Sequence, residues 1–223
     1  MQLPIISEKA VPWSYSQINI HWERPPLNKI KLNIDGAFLK DKLHADIGGV
    51  YRNSTGNWIM GFTRSCYSYS SMQAELLALE EGLKIAVEMP FVEIEIEADS
   101  TDILKMLSEE NVSTNARLLN CGSLMRQLKS PLMRHNFREG NAVADCLAKE
   151  AVKNFKPGKC YHHAWPPLFV EAILEKDMQG LCLGIKKLST NVRKCITIQC
   201  KAAYHERMFH LVGARMTKNR QID

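Results

Sequence analysis

A chain of 223 residues, 45% hydrophobic and 24% charged, can build one core of ordinary size, and this composition excludes collagen-like repeats and disorder throughout. Its apolar runs, such as 91–96 and 59–62, fall far below the roughly 18 to 20 residues of a bilayer span, and the start lacks a basic segment followed by an apolar one, so the expectation is an intracellular protein without membrane contact. The net charge of +5 is uneven: residues 181–223 carry nine basic side chains against Glu206 and Asp223, which leaves residues 1–180 at −2.

In chain order, residues 1–27 end in Trp22, Glu23, Arg24, Pro25 and Pro26, where the prolines forbid helix, and the segment is expected to be an extended arm. From Lys29 the pattern alternates, with Ile30, Leu32 and Ile34 on one face and Lys31, Asn33 and Asp35 on the other, predicting a first strand that ends at Asp35 before Gly36. Residues 47–67 predict a hairpin turning at 53–57. Leu76, Leu79, Leu83, Ala86 and Val87 recur at helical spacing, and Pro90 closes that helix.

Period two returns in 91–100, with Val92, Ile94 and Ile96 facing one way and Glu93, Glu95, Glu97 and Asp99 the other; the three glutamates are expected to be solvated. Ser100 and Thr101 can cap a following short helix, and a further helix spans about 115–129, stopped by Pro131. Residues 133–139 predict a last strand, and Asn141 can cap a helix striped by Val143, Leu147 and Ala151. Beyond Phe155, residues 156–180 contain prolines and are expected to pack on the domain, while 181–223 form a basic extension expected to be poorly ordered. A hairpin followed by strand and helix alternation implies a mixed sheet flanked by helices.

The seven cysteines are odd in number and contain no C-x-x-C pair, which argues against a disulfide framework or a zinc ribbon. Cys160 with His162 and His163, or Cys195 with Cys200, match no tetrahedral zinc spacing well.

Four blocks in this order, KLNIDGAF, QAELLALEEGL, IEIEADSTDIL and HNFREGNAVADCLAKEA, resemble the ribonuclease H superfamily, most closely the ribonuclease H-type domains of plants and non-LTR retroelements. The resemblance implies an α/β domain over 28–155 with a mixed five-stranded sheet, an antiparallel hairpin plus parallel strands, flanked by helices. It implies that Asp35, Glu75, Asp99 and Asp145 are catalytic and hold two Mg²⁺ ions, with Mn²⁺ as an alternative, and that the protein hydrolyses the RNA strand of RNA/DNA hybrids to leave a 5′-phosphate. Two ions about 4 Å apart activate water and stabilise the leaving oxygen, and hard cations require carboxylate oxygens. Asp35 would bridge both ions, Glu75 and Asp99 sharing one and Asp145 the other; both helix-borne acids are expected in first turns.

His135, ten residues before Asp145, is a candidate for proton transfer during product release, with packing in the last strand as the alternative and Arg138 or Glu139 then filling the loop. The backbone around Gly36 and Ala37, with Ser71, Gln73, Ser100 and Asn141, forms the candidate substrate contacts; Ser100 and Asn141 are equally candidate helix caps. The domain's 15 basic and 17 acidic residues predict weak, salt-sensitive hybrid binding, to which the basic extension can add phosphate contacts. A binding module of retroelement origin without turnover, and a purely structural protein indifferent to metal, are the competing functions. A monomer is assumed, and nuclear residence follows only from the nucleic-acid chemistry.

Overall fold

The computed structural model describes residues 15–89, 93–108, 115–154, 158–189 and 197–199. Its strands are β1 (Tyr15–Ile20), β2 (Ile30–Leu39), β3 (His44–Arg52), β4 (Trp58–Tyr67), β5 (Ile94–Ala98), β6 (Leu132–His135), β7 (Cys160–His163), β8 (Gly184–Ser189) and β9 (Thr197–Gln199). The helices are α1 (Ser71–Glu88), α2 (Thr101–Ser108), α3 (Ala116–Gln127), α4 (Ala142–Asn154) and α5 (Leu168–Met178). One sheet runs β7-β4-β3-β2-β5-β6-β9, and β1 pairs with β8 in a separate ribbon. The expected five strands, β4 through β6 in that order, are its centre, and β7 and β9 extend it at both edges. β2, β5 and β6 are parallel; the β2–β3–β4 pairings are antiparallel.

The alternation read from the sequence sorts the faces correctly. Leu32, Ile34, Phe62 and Ile96 are buried against Leu76, Leu79 and Leu83 of α1, with α2 and α3 completing that layer. On the opposite face Val143 and Leu147 of α4 and Val170 of α5 close over Val50. Among the described residues no helix is long and apolar enough to cross a membrane.

Several boundaries and environments differ from expectation. β2 does not stop at Asp35 but continues to Leu39, because its ladder with β3 persists through Leu39↔His44. β6 is shorter than expected and ends at His135, after which residues 138–141 form a 3-10 turn. Phe91 and Val92, expected in the strand, lie outside the described residues. Glu95 and Glu97 are not solvated: they are 3% and 5% exposed, because the sheet is covered on both faces and period two separates faces without saying which meets water.

Glu97 is made tolerable by its partners, as a buried charge must be. Lys31 Nζ donates to Glu97 Oε1, and Asn33 Nδ2 and Asn136 Nδ2 donate to Oε2 at 3.1 and 3.0 Å. The same layer continues to Arg52, whose Nη2 donates to Asn33 Oδ1 at 2.8 Å and Nη1 to Asp177 Oδ2 at 2.6 Å. Trp22 seals it, with its indole N–H on Asn33 Oδ1 at 3.0 Å and its ring 3.6 Å from the Arg52 guanidinium. Burial lowers the pKa of Arg52 and raises that of Asp177. A residue before the domain and one from α5 therefore complete a charged layer inside it.

The expectation of poor order from 181 onward is corrected for 184–189, which form β8 and pair along their length with β1. The partner lies more than 160 positions earlier in the chain, which local periodicity cannot register. Residues 190–196 and 200–223, including Cys195 and Cys200, lie outside the described residues. In 156–180, Val170 is buried, whereas Trp165 and Leu168 are 83% and 85% exposed.

Candidate active site

The parallel register of β2 and β5 pairs Asn33 with Glu97, so Asp35 and Asp99, each two residues further on, arrive level at the same end of the sheet. Glu75 comes from α1. Ser70 caps that helix by accepting from Gln73 N–H at 3.1 Å, while Gln73 Oε1 accepts from Tyr69 N–H at 2.7 Å. Glu75 sits one turn in rather than in the first turn, which holds no acid. Gly36 lets it reach Asp35: a Cβ on Gly36 would lie 2.4 to 2.6 Å from backbone atoms of Ala74 and Glu75, so only glycine permits this approach of helix to strand.

One carboxylate oxygen each from Asp35, Glu75 and Asp99 lies within 4.8 Å of the others. Asp35 and Glu75 are 5% and 9% exposed, and Asp99 is half-buried. Burial, then the neighbouring Asp99 and Asp145 charges, raises the Asp35 pKa to about 7. Burial followed by Asp35 and Asp99 raises Glu75 to about 9, although the Gly36 amide hydrogen bond opposes this. Asp99 is raised too, chiefly by burial, with Arg138 opposing. Glu75 Oε2 is buried without a hydrogen-bond partner.

Asp145 lies in the first turn of α4, as expected, but does not join the cluster of three. Its Oδ1 accepts from Arg138 Nη2 at 2.9 Å and its Oδ2 from Lys149 Nζ at 2.5 Å. It still acts electrostatically on Asp35 and Asp99. The structure thus converges three of the four acids and sets the fourth beside them on two organic cations. Lys149 was missed in the sequence, although its i,i+4 spacing from Asp145 on a helix was visible there.

His135 occupies the end of β6, not a loop. Its Nε2 lies 3.1 Å from the Asp99 carbonyl oxygen, which can only accept, so Nε2 carries the proton. Burial lowers its pKa, Nδ1 is buried without a partner, and the ring meets Phe137 edge-on. The ring is thus packed at the end of the last strand, with Arg138 on the turn that follows. Glu139 points to β8, pairing with Lys186 at 3.2 Å.

The candidate substrate contacts divide. Ser71 is exposed, and Ala37 and Ser100 are half-buried. The Gly36 amide hydrogen-bonds Glu75, and Gln73 Oε1 accepts from Tyr69 N–H at the helix start. Asn141 neither caps α4 nor faces solvent: it is fully buried and its Nδ2 donates to the Ile34 carbonyl at 2.8 Å, pinning the turn before α4 to β2. Cys160 joins no cluster of metal-ligand type among the described residues.

A family model described as reverse transcriptase-like matches residues 33–151. A ribonuclease H protein of Arabidopsis thaliana, its own assignment provisional, is 34% identical over 137 residues, 59% of this chain and 22% of that protein. The chain therefore spans about a fifth of that curated relative's length. RNase H1 from the halophilic archaeon Halobacterium salinarum superposes with a TM-score of 0.52 at 25% identity, over 56% of this chain and 98% of that one. LC11-RNase H1, isolated from compost by a metagenomic approach, gives 0.52 at 23% identity over 57% and 97%, a likeness of fold.

Proposed function

This chain belongs to the reverse transcriptase-like family and has the ribonuclease H-like fold, and from that premise we propose that it is a divalent-cation-dependent endonuclease that hydrolyses the RNA strand of RNA/DNA hybrids. The observation that carries the reading is the convergence of Asp35, Glu75 and Asp99 within 4.8 Å. Three mutually repelling, mostly buried carboxylates, two of them raised to about 7 and about 9, are costly unless a cation neutralises them. The orphaned Glu75 Oε2 is an oxygen donor available to it. An all-oxygen donor set suits a hard ion, Mg²⁺ or Mn²⁺, rather than zinc.

Asp35, Glu75 and Asp99 would hold the first ion, and Asp35 with Asp145 a second, once Lys149 frees Asp145 Oδ2 while Arg138 stays on Oδ1. Bound there, such ions supply an activated water and neutralise charge developing on the leaving oxygen. The protein's own groups do the rest. Gly36 N–H orients the Glu75 carboxylate, and the His135 ring fixes the backbone of Asp99. Arg138, with its side chain 67% exposed, keeps one guanidinium nitrogen on Asp145 while facing the solvent from which a phosphate would approach. Ser71, exposed at the start of α1, and Ser100, half-buried beside Asp99, would meet sugar oxygens, the 2′-hydroxyl being the group that distinguishes RNA.

The pairing of Asp145 with two cations favours a second reading, a hybrid-binding module without turnover. Incubation with labelled hybrid, duplex RNA and duplex DNA in Mg²⁺ or Mn²⁺ separates the two, with Asp99→Asn as control. The hydrolase reading expects cleavage of the hybrid's RNA strand alone and its loss in the control. Binding without cleavage above the control would establish the module instead.

A further inference from the structure

The turn that carries Arg138 to Asp145 is held by residues outside the carboxylate set. Asn136 opens it. Its Nδ2 donates in one direction to Glu97 Oε2 at 3.0 Å and in the other to the Gly140 carbonyl at 3.1 Å, bridging the buried layer beneath the acids to the far end of the turn. Its backbone N–H donates to the Ala98 carbonyl at 2.9 Å, which ties the same residue to β5. Gly140 is packed so closely on this bridge that a Cβ there would lie 2.6 Å from Asn136 Oδ1 and 2.9 Å from Nδ2. Glu97 itself is immobilised by Lys31 and Asn33. From outside, Lys186 of β8 pairs with Glu139 at 3.2 Å and lies 5.1 Å from the centre of the Phe137 ring.

Between these clamps only Arg138 projects, with its side chain 67% exposed, to reach Asp145 at 2.9 Å. A long side chain loses considerable rotamer freedom when held at one carboxylate, and a fixed backbone lowers that cost. Asn33 and Glu97 also stand two positions before Asp35 and Asp99 on the same face of the sheet. The layer that orients Asn136 therefore supports the strands bearing those acids as well. We propose that Asn136, oriented by Glu97, is a positioning residue that sets the 136–141 turn so that Arg138 engages Asp145. This deepens, and rests on, the hydrolase reading above. The carboxamide is needed because Nδ2 serves two acceptors at once, whereas an alanine serves neither.

Asn136→Ala is the test, read by kinetics and by backbone amide hydrogen exchange on the full chain. The cleavage rate constant is expected to fall about tenfold or more, the loss of a hydrogen bond to a charged group. KM for the hybrid should stay within about twofold, since the contact is not with substrate. Amides of 138–141 should exchange about tenfold faster while those of β3 do not change. In an Arg138→Ala background the same substitution should add less than about twofold, because both act through one contact. Gly140→Ala, which displaces the Asn136 amide without removing it, should reproduce the exchange pattern and add nothing to Asn136→Ala.

A merely structural role would lower the melting temperature and leave the rate constant below the transition unchanged; that result, or full additivity with Arg138→Ala, overturns the proposal. If the wild-type protein does not cleave hybrid, the hydrolase reading fails by itself. The exchange of residues 138–141 then decides the positioning role, with unchanged protection in both variants counting against it.

Discussion

Asp35→Asn is expected to reduce hybrid cleavage by about 10³-fold or more and, without metal, to raise the melting temperature at neutral pH. The first effect follows from removing the carboxylate shared by both proposed cation positions, since transition-state charge stabilisation by a metal is worth several kcal/mol and each factor of ten is about 1.36 kcal/mol. The second follows from linkage. In the folded protein Asp35 is raised from 3.8 to about 7 and Glu75 from 4.5 to about 9, so through those windows the folded state keeps protons that the unfolded chain has lost. Stability therefore falls as pH rises from about 4 toward 7 for Asp35 and toward 9 for Glu75, the unfolded state binding fewer protons throughout. A neutral amide of the same shape removes one of the repelling charges. Calorimetric scans in chelator from pH 5 to 8 should show a melting temperature that declines with pH in the wild type and declines less in the variant. A variant less stable than wild type at pH 8 would mean that the acids do not strain the fold.

Arg52→Met is expected to destabilise the protein by roughly 3 to 5 kcal/mol, the cost of leaving one member of a buried ion pair alone. Arg52 and Asp177 side chains are both fully inaccessible, and loss of the guanidinium strands Asp177 Oδ2 and removes the cation above Trp22. For a chain of this size the loss corresponds to a fall of about 6 to 20 °C in melting temperature. The double replacement Arg52→Met with Asp177→Leu should recover much of it, because two apolar groups leave no charge uncompensated. Thermal melts of wild type, single and double variants read the cycle. A single-variant loss below about 1 kcal/mol, the scale of an exposed pair, would mean that the Trp22 segment and α5 do not close this layer.

The sequence made the strands and α1 legible wherever burial alternates or recurs at helical spacing, as in Leu32 and Ile34 or Leu76, Leu79 and Leu83. It placed Asp35, Glu75 and Asp99 in blocks that converge, because strand order follows from the hairpin and the parallel strands. What it hid depends on contacts between remote segments. Glu97 looks like its exposed neighbour Glu93 until Lys31, Asn33 and Asn136 are known to surround it. β8 has no pattern of its own because its partner is β1. Asn141 has the residue type of a helix cap, but the chain enters α4 through a 3-10 turn that buries the amide against Ile34. Asp145 was identified by its block, whereas its retention by Arg138 and Lys149 is a matter of side-chain direction.

The claim on which the functional account depends is that Asp35, Glu75 and Asp99 form a divalent cation site. Titration of the metal-free protein with Mg²⁺, followed by thermal melting, tests it without requiring turnover. A ligand that binds only the folded state raises stability by about 2.7 kcal/mol at one hundred times its dissociation constant. The account expects a saturable rise in melting temperature at millimolar Mg²⁺ that chelator reverses and that Asp35→Asn and Asp99→Asn each abolish. An unchanged midpoint in the wild type, or an equal rise in the variants, would contradict it.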